Sequence, residues 1–435
     1  MRWYLGAIVI LLAALIFQLG LLAYAMYVVL GVMLVSRFLA RHWIDNLSAT
    51  RECNRLSAEI GDKLAVVVTV RNRGRLPVAW TLAEDSLPRG PLVQRPPRIR
   101  VIGRRLLIAM LRPGGRKSLM YQVEFLMRGY YQIGPVILET GDLFGLHRRY
   151  RVATEPHFVL VYPKLVPLEG YDLASRRPVG EIRLTHRLYE DPTRIAGVRL
   201  YQPGDALSRV NWRATARTGT LHSKIYEPST IAGATIVLAF HEQEYPERNE
   251  PIRSELAVTA AASLANEVYL MGQQVGLTTN GRDAADRIRQ EGWAHDFRSR
   301  SAAQKNVNMN ERSERLQPLT VPTRRGPEQL WRILETLARV ELTDGLTFSQ
   351  LIGEAVSHLP RDATVVAVLP DASPETAFAL GSLKRRGYAV VAVLIAFEDF
   401  EYQDAAGRLL AQGIEARQVR DEASLSALCG QHVLR

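Results

Sequence analysis

Trp3 to Ser36 read WYLGAIVILLAALIFQLGLLAYAMYVVLGVMLVS, thirty-four residues without a charge. The hydrocarbon core of a bilayer is about 30 Å thick and takes about 20 helical residues to cross. As one helix this run would be roughly 51 Å long, too long for a single pass and long enough for two short ones. Gln18, Leu19 and Gly20 lie near its middle and supply its only amide and a turn-permissive glycine. Arg2 precedes the run, and Arg37, Arg41 and Arg51 follow it. Basic residues on both flanks favour keeping both ends in the cytoplasm. A transmembrane helical hairpin over 1–45 satisfies this and a single span does not. The soluble region after His42 is then expected in the cytoplasm, against the inner (cytoplasmic) membrane. Ala23-Tyr24-Ala25 also resembles a signal-peptidase site, but cleavage there would leave Met26 to Ser36, too short to span.

The remainder of the 435 residues is enough for two or three domains. Cys53 and Cys429 are the only cysteines. Two thiols so far apart make no disulfide framework and fit a reducing compartment. The formal charge is +11, and anionic lipid of the cytoplasmic leaflet would draw such a protein onto its own membrane. The basic residues are spread along the chain without a dense run or a nucleic-acid-binding signature, so no nucleic acid partner is expected.

Outward from the apolar run, residues 54–165 follow period two. Lys63 to Val70, Val78 to Leu82, Leu106 to Leu111 and Ser118 to Leu126 read as short strands with Gly/Pro punctuation. They predict a β-sandwich without helical runs. From Ala234 the pattern changes. Ala234 to Phe240 is a continuous apolar strand, and Ile252 to Met271 has helical spacing. Val275 to Thr279 is a second strand, followed by a helix from Leu330 to Val340. Asp362 to Leu369, Ala372 to Arg386 and Tyr388 to Ile395 then give strand, helix and strand. This alternation predicts an α/β domain over 231–435 with a mostly parallel sheet. The charge-rich stretch 282–325 reads as a mobile insertion in it.

Residues 166–230 connect the two patterns. Pro203-Gly204 is a turn, Asp205 is placed as an N-cap, and a helix is expected to about Arg217, stopping at Gly219. Arg209, Arg213 and Arg217 would share one stripe, and Leu207, Val210 and Ala214 another. Like charges one turn apart repel by about 0.2–0.5 kcal/mol per pair, so an acidic surface should meet the arginines. That surface belongs either to this chain, pinning the helix between domains, or to a partner.

The pattern Arg199-x-Tyr201-x-x-Gly204-Asp205-x-x-x-Arg209-x-Asn211-Trp212-x-x-x-Ala216-Arg217 resembles the hallmark of the bacterial family called domain of unknown function 58. Arg128-Gly-Tyr-Tyr-Gln-Ile-Gly-Pro135 and Thr140-Gly-Asp-Leu-Phe-Gly-Leu146 resemble the segment that precedes that hallmark. The resemblance implies two N-terminal membrane helices and a von Willebrand factor A-like C-terminal domain. It also implies a neighbouring MoxR-type AAA+ ATPase, without a settled activity. It makes Arg199, Tyr201, Asp205, Arg209, Asn211, Trp212 and Arg217, with Arg213 from the arginine stripe, the candidate interaction residues.

One departure bears on chemistry. Von Willebrand A domains with a metal site carry Asp-x-Ser-x-Ser after the first strand, a carboxylate and two hydroxyls for a hard cation. Here that place reads Ala239-Phe-His-Glu-Gln-Glu-Tyr245. Asp371 alone could match the distant acidic ligand, so no metal and no cofactor is expected. His241, Glu242 and Glu244 could bind another ligand, but a lone His beside carboxylates at a loop reads first as a solvated or structural residue. HExxH, GxSxG, CxxC and GxGxxG are absent, although triads are spatial and need no motif. The expected function is a membrane-anchored cytoplasmic protein-interaction scaffold. The alternatives are an enzyme or accessory subunit acting on cell-envelope precursors, or a basic membrane-surface protein that binds phosphate-bearing ligands.

Overall fold

The computed structural model describes residues 2–142, 144–145, 147–168, 190–202, 210–228, 233–291, 316–360 and 363–428. The uncharged run folds as two helices, Arg2–Ile16 and Gly20–Asn46, packed on each other. Between them Gln18 takes a left-handed φ of 50° and Leu19 N donates to Ala14 O at 2.8 Å. The helices are unequal. Among the described residues only Gly20–Asn46 is long and apolar enough, by length and composition, to cross a membrane. The first helix has 15 residues, about 22 Å of rise, which falls short of a hydrocarbon core of about 30 Å. The two passes expected from the run therefore become one candidate span beside a shorter apolar helix. Leu12, Leu21, Val28 and Leu34 are exposed on them, an arrangement that suits lipid better than water.

The second helix does not stop where charge begins. It continues from Arg37 to Asn46, and Trp43 and Ile44 enter the core of the following region. Arg151 Nη1 donates to Asp45 O at 3.0 Å, and the first strand starts at Leu47. Apolar span and β-rich region thus share one unbroken helix. Arg51 departs from the expectation for a membrane-flanking residue. Its side chain is fully buried, with Nη1 at 2.9 Å from Asp85 Oδ1, and Tyr121 donates to Asp85 Oδ2 at 2.8 Å. A cation this deep requires such a partner.

The β-rich region has two four-stranded antiparallel sheets. One runs Leu47–Cys53, Lys63–Asn72, Arg116–Phe125, Ile99–Gly103; the other runs Arg148–Val152, Val136–Gly141, Val78–Asp85, Leu106–Leu111. Alternate residues Leu64, Val66, Val68 and Val70 point inward, where they meet Val78, Ala83, Val136 and Leu138 of the other sheet. A third small sheet joins Ser57–Glu59, His157–Tyr162 and Gly129–Ile133. A five-residue helix, Arg89–Val93, lies where no helix was expected.

The C-terminal region is built on a six-stranded mixed sheet. Its order is Leu319–Arg324, Gln274–Thr279, Gly233–Leu238, Ala363–Leu369, Val390–Ile395, Glu415–Val419, and only the Leu319–Arg324 edge is antiparallel. Every residue of Gly233–Leu238 and Ala363–Leu369 is buried, because helices cover both faces. Ile252–Leu270 and Pro327–Arg339 pack on one face, and Phe348–Ala355, Pro374–Arg385 and Asp399–Ala411 on the other. Both ends of the expected insertion 282–325 belong to the fold. Arg282–Asp283 pairs with Val340–Glu341, Ala284–Glu291 is helical, and Leu319–Arg324 is the sheet edge. Pro322, which weakens a strand reading, is tolerated at an edge. Residues 292–315 lie outside the described residues.

Arg128 ties the two regions together. It projects from the β-rich side and is 5% exposed. Its Nη1 donates to Leu337 O at 2.9 Å and Val340 O at 2.7 Å, the free carbonyls at the end of the Pro327–Arg339 helix. Its Nε lies 3.3 Å from Glu255 Oε2, and its guanidinium sits 5.6 Å from the centre of the Phe240 ring.

Candidate functional site

The connector forms an arm. Strands Glu190–Leu200 and His222–Pro228 pair antiparallel, and the short helix Trp212–Thr218 packs beside the second. Val210, 2% exposed, bridges to Ser223 in extended pairing, so the chain cannot yet be helical there. The described helix begins at Trp212. Its N-cap is Asn211, whose side chain accepts from Ala214 N at 3.2 Å. Gly219 ends it with φ 71°. Backbone bonds from Tyr201 N to Leu221 O and from Asn211 N to His222 O, each 2.8 Å, hold the helix against its strand.

Asp205 and Arg209 lie outside the described residues. Arg213 and Arg217 stand one turn apart on the helix and are exposed, and among the described residues neither has a carboxylate within ion-pair distance. Trp212 is 67% exposed, and Leu200 and Leu221 are exposed near it. Arg199 is half-buried and donates to Leu200 O at 3.2 Å. The arm thus presents an aromatic ring, aliphatic side chains and two cations to its surroundings. Such a composition suits a macromolecular contact, since Trp and Arg are enriched among interface anchors.

The sheet offers a second location. Gly233–Leu238 and Ala363–Leu369 are neighbours whose following helices cover opposite faces. Their C-terminal ends form the crevice where ligands bind in open α/β sheets. Here the polar groups brace the loops. Asn280 accepts from Phe240 N at 2.7 Å and donates to Leu346 O at 2.8 Å. His241 is buried and accepts from Gln243 N at 3.3 Å, capping a single turn. Asp371 accepts from Ala372 N at 2.7 Å and lies 3.8 Å from Arg408. Glu244 differs. Burial pushes its carboxyl up to about 7, against a bond from Phe348 N that works the other way, and its Oε2 has no hydrogen-bond partner. Among the described residues no three His, Cys, Asp or Glu groups come together as a metal site.

Sequence reasoning passed over the buried arginines. Arg51 looked like a membrane flank, and Arg128 stood only as part of a family pattern. The local signal at the second was its neighbour, Gly129. A Cβ there would lie 2.9 Å from the Tyr131 ring, whose hydroxyl donates to Met127 O and Arg128 O at 2.9 and 3.1 Å.

Residues 197–299 match the family model described as Protein of unknown function DUF58. The match takes in part of the arm, the first strand and helix of the sheet, and its second strand. Uncharacterized protein YeaD of Bacillus subtilis (strain 168) is 25% identical over 299 residues, which cover 67% of this chain and 72% of that protein. Among solved structures, the CARDB domain of the PF1109 protein from Pyrococcus furiosus covers 26% of this chain and 86% of its own, with 15% identity and a TM-score of 0.19. Proximal thread matrix protein 1 from the mussel byssus covers 46% of each chain, with 12% identity and a TM-score of 0.28.

Proposed function

We propose that this protein is a membrane-anchored cytoplasmic scaffold that docks a protein partner on the Trp212–Thr218 arm. The observation that carries the reading is the exposed set Trp212, Arg213 and Arg217, with no acidic partner for either arginine among the described residues. A second copy of the same charge one turn away is unfavourable unless something acidic comes to it. Around this arm we place an N-terminal helical hairpin anchored in the membrane by its longer helix, a β-sandwich, and a von Willebrand A-like domain whose metal motif is lost. The excess of 55 basic over 44 acidic residues holds the assembly against the inner membrane. By the resemblance of its hallmark, the partner is a MoxR-type AAA+ ATPase. The test is co-purification of the full-length, detergent-solubilised chain with the MoxR-type ATPase of the same organism. The triple variant Trp212→Ala, Arg213→Glu, Arg217→Glu should lose the ATPase. Equal recovery with that variant would end the proposal.

Glu244 favours a second reading, an enzyme or accessory subunit acting on cell-envelope precursors. A carboxyl poised near 7 at the switch point of an α/β sheet has the protonation behaviour of a general acid–base group. On that reading Glu244→Gln abolishes activity and leaves partner capture intact.

A further inference from the structure

Beside Arg128, between the β-rich and α/β regions, lies a cavity of about 300 Å³. Four arginines line it, Arg98, Arg128, Arg287 and Arg339, against one lining carboxylate, Glu341. Arg287 is matched by Glu341 through a two-point contact at 2.6 and 3.2 Å. Arg128 and Arg339 have looser ion pairs, with Nε at 3.3 Å from Glu255 and 3.4 Å from Asp283. Arg98 has no ion pair among the described residues. Glu250 feels its charge, but both Glu250 oxygens are held by Ser254. The Nε–H groups of Arg98, Arg128 and Arg339 are all buried without a formed hydrogen bond; those of Arg128 and Arg339 have only their ion-paired carboxylates at 3.3 and 3.4 Å, and that of Arg98 has none. Leaving a charged donor buried and unsatisfied costs about 1–3 kcal/mol or more. Arg98 is in that position here, and Arg128 and Arg339, on other elements, line the same cavity.

We propose that this cavity binds a phosphate group, as inorganic phosphate or as a small phosphate monoester. A carboxylate offers two oxygens in one plane and suits a single guanidinium fork. A tetrahedral oxyanion offers acceptors in several directions, as three separate arginines require. Its charge offsets the uncompensated cation of Arg98. Because Arg98 belongs to the β-rich region and Arg339 to the α/β region, the bound anion clamps the two together. The site is separate from the arm and does not depend on the scaffold reading.

The test is thermal melting of the full-length chain in detergent, titrated at constant ionic strength with inorganic phosphate, glycerol phosphate or chloride. Either phosphate probe should raise the melting temperature saturably, and chloride should not. Saturation by the monoester alone identifies an organic phosphate, and saturation by both identifies the free ion as sufficient. Arg98→Gln, which breaks no ion pair, should weaken the apparent affinity by about tenfold or more. Arg385→Gln, on the remote Pro374–Arg385 helix, should leave it unchanged. No saturable rise with either phosphate, or the same rise in Arg98→Gln, would overturn the proposal.

Discussion

At the seam, Arg128 is enclosed by helix-end carbonyls, Glu255 and the Phe240 ring. On the arm, Arg213 and Arg217 face outward with no carboxylate within ion-pair distance among the described residues. The same side chain serves two ends. In the seam its charge is desolvated, so each of its contacts is needed to keep it there. On the arm the charge is exposed to water. Burial, more than residue type, separates the two kinds of arginine.

The largest effect should come from breaking the seam. Arg128→Ala leaves Glu255 and the carbonyls of Leu337 and Val340 without their cation. It should cost about 3–5 kcal/mol, as does removing one partner of a buried pair, read by denaturant unfolding. Unaltered stability would mean that the two regions adhere without this contact.

An intermediate effect belongs to Glu244, a carboxyl held in the fold without a full set of donors. Its pKa is raised from 4.5 to about 7 by burial, so the folded state keeps a proton that the unfolded chain gives up. The unfolded state binds fewer protons in that window, and stability must fall as pH rises through it. The contribution is complete below pH 4.5, declines to pH 7 and is flat above, with a span of at most about 3 kcal/mol. Asp85, Glu250 and Asp283, also raised by burial, act with the same sign. The measurement is therefore the difference between wild type and Glu244→Gln. Parallel stability curves for the two proteins would show that Glu244 is solvated.

The smallest effect is predicted on the arm. Arg213→Glu with Arg217→Glu should change stability by no more than about 0.5 kcal/mol, the range of surface substitutions. Destabilisation by about 1–3 kcal/mol in a melt would place the acidic counterpart within this chain and remove the contrast with Arg128.

Much of the fold was legible because it rests on periodicity, a local property. Alternation marked Lys63–Asn72 and Arg116–Phe125, and continuous apolar runs marked Gly233–Leu238 and Ala363–Leu369. Gly219 as a helix stop followed from the left-handed geometry that glycine tolerates. Asn211 was not singled out as the cap of Trp212–Thr218, although its side chain has the same capping chemistry as Asp205, which lies outside the described residues. The bridge between Val210 and Ser223, residues thirteen apart, keeps the chain extended up to Asn211. The edge strand Leu319–Arg324 was missed for a related reason: its pairing with Gln274–Thr279 supplies what its own composition lacks.

By itself, the sequence determined an apolar N-terminal run with a break near Gln18 and the change from period-two strands to alternating strand and helix. Each follows from neighbouring residues and their intrinsic preferences. Tertiary structure alone decided that the break leaves one long helix and one short one, and that this long helix continues into the β-rich core through Trp43 and Ile44. It also decided the roles of the arginines. Arg51 meets Asp85 across 34 residues, Arg128 meets Leu337 O across 209, and Arg213 meets no carboxylate among the described residues. The energy of a charge depends on what surrounds it, and those surroundings come from distant parts of the chain that only the folded molecule assembles.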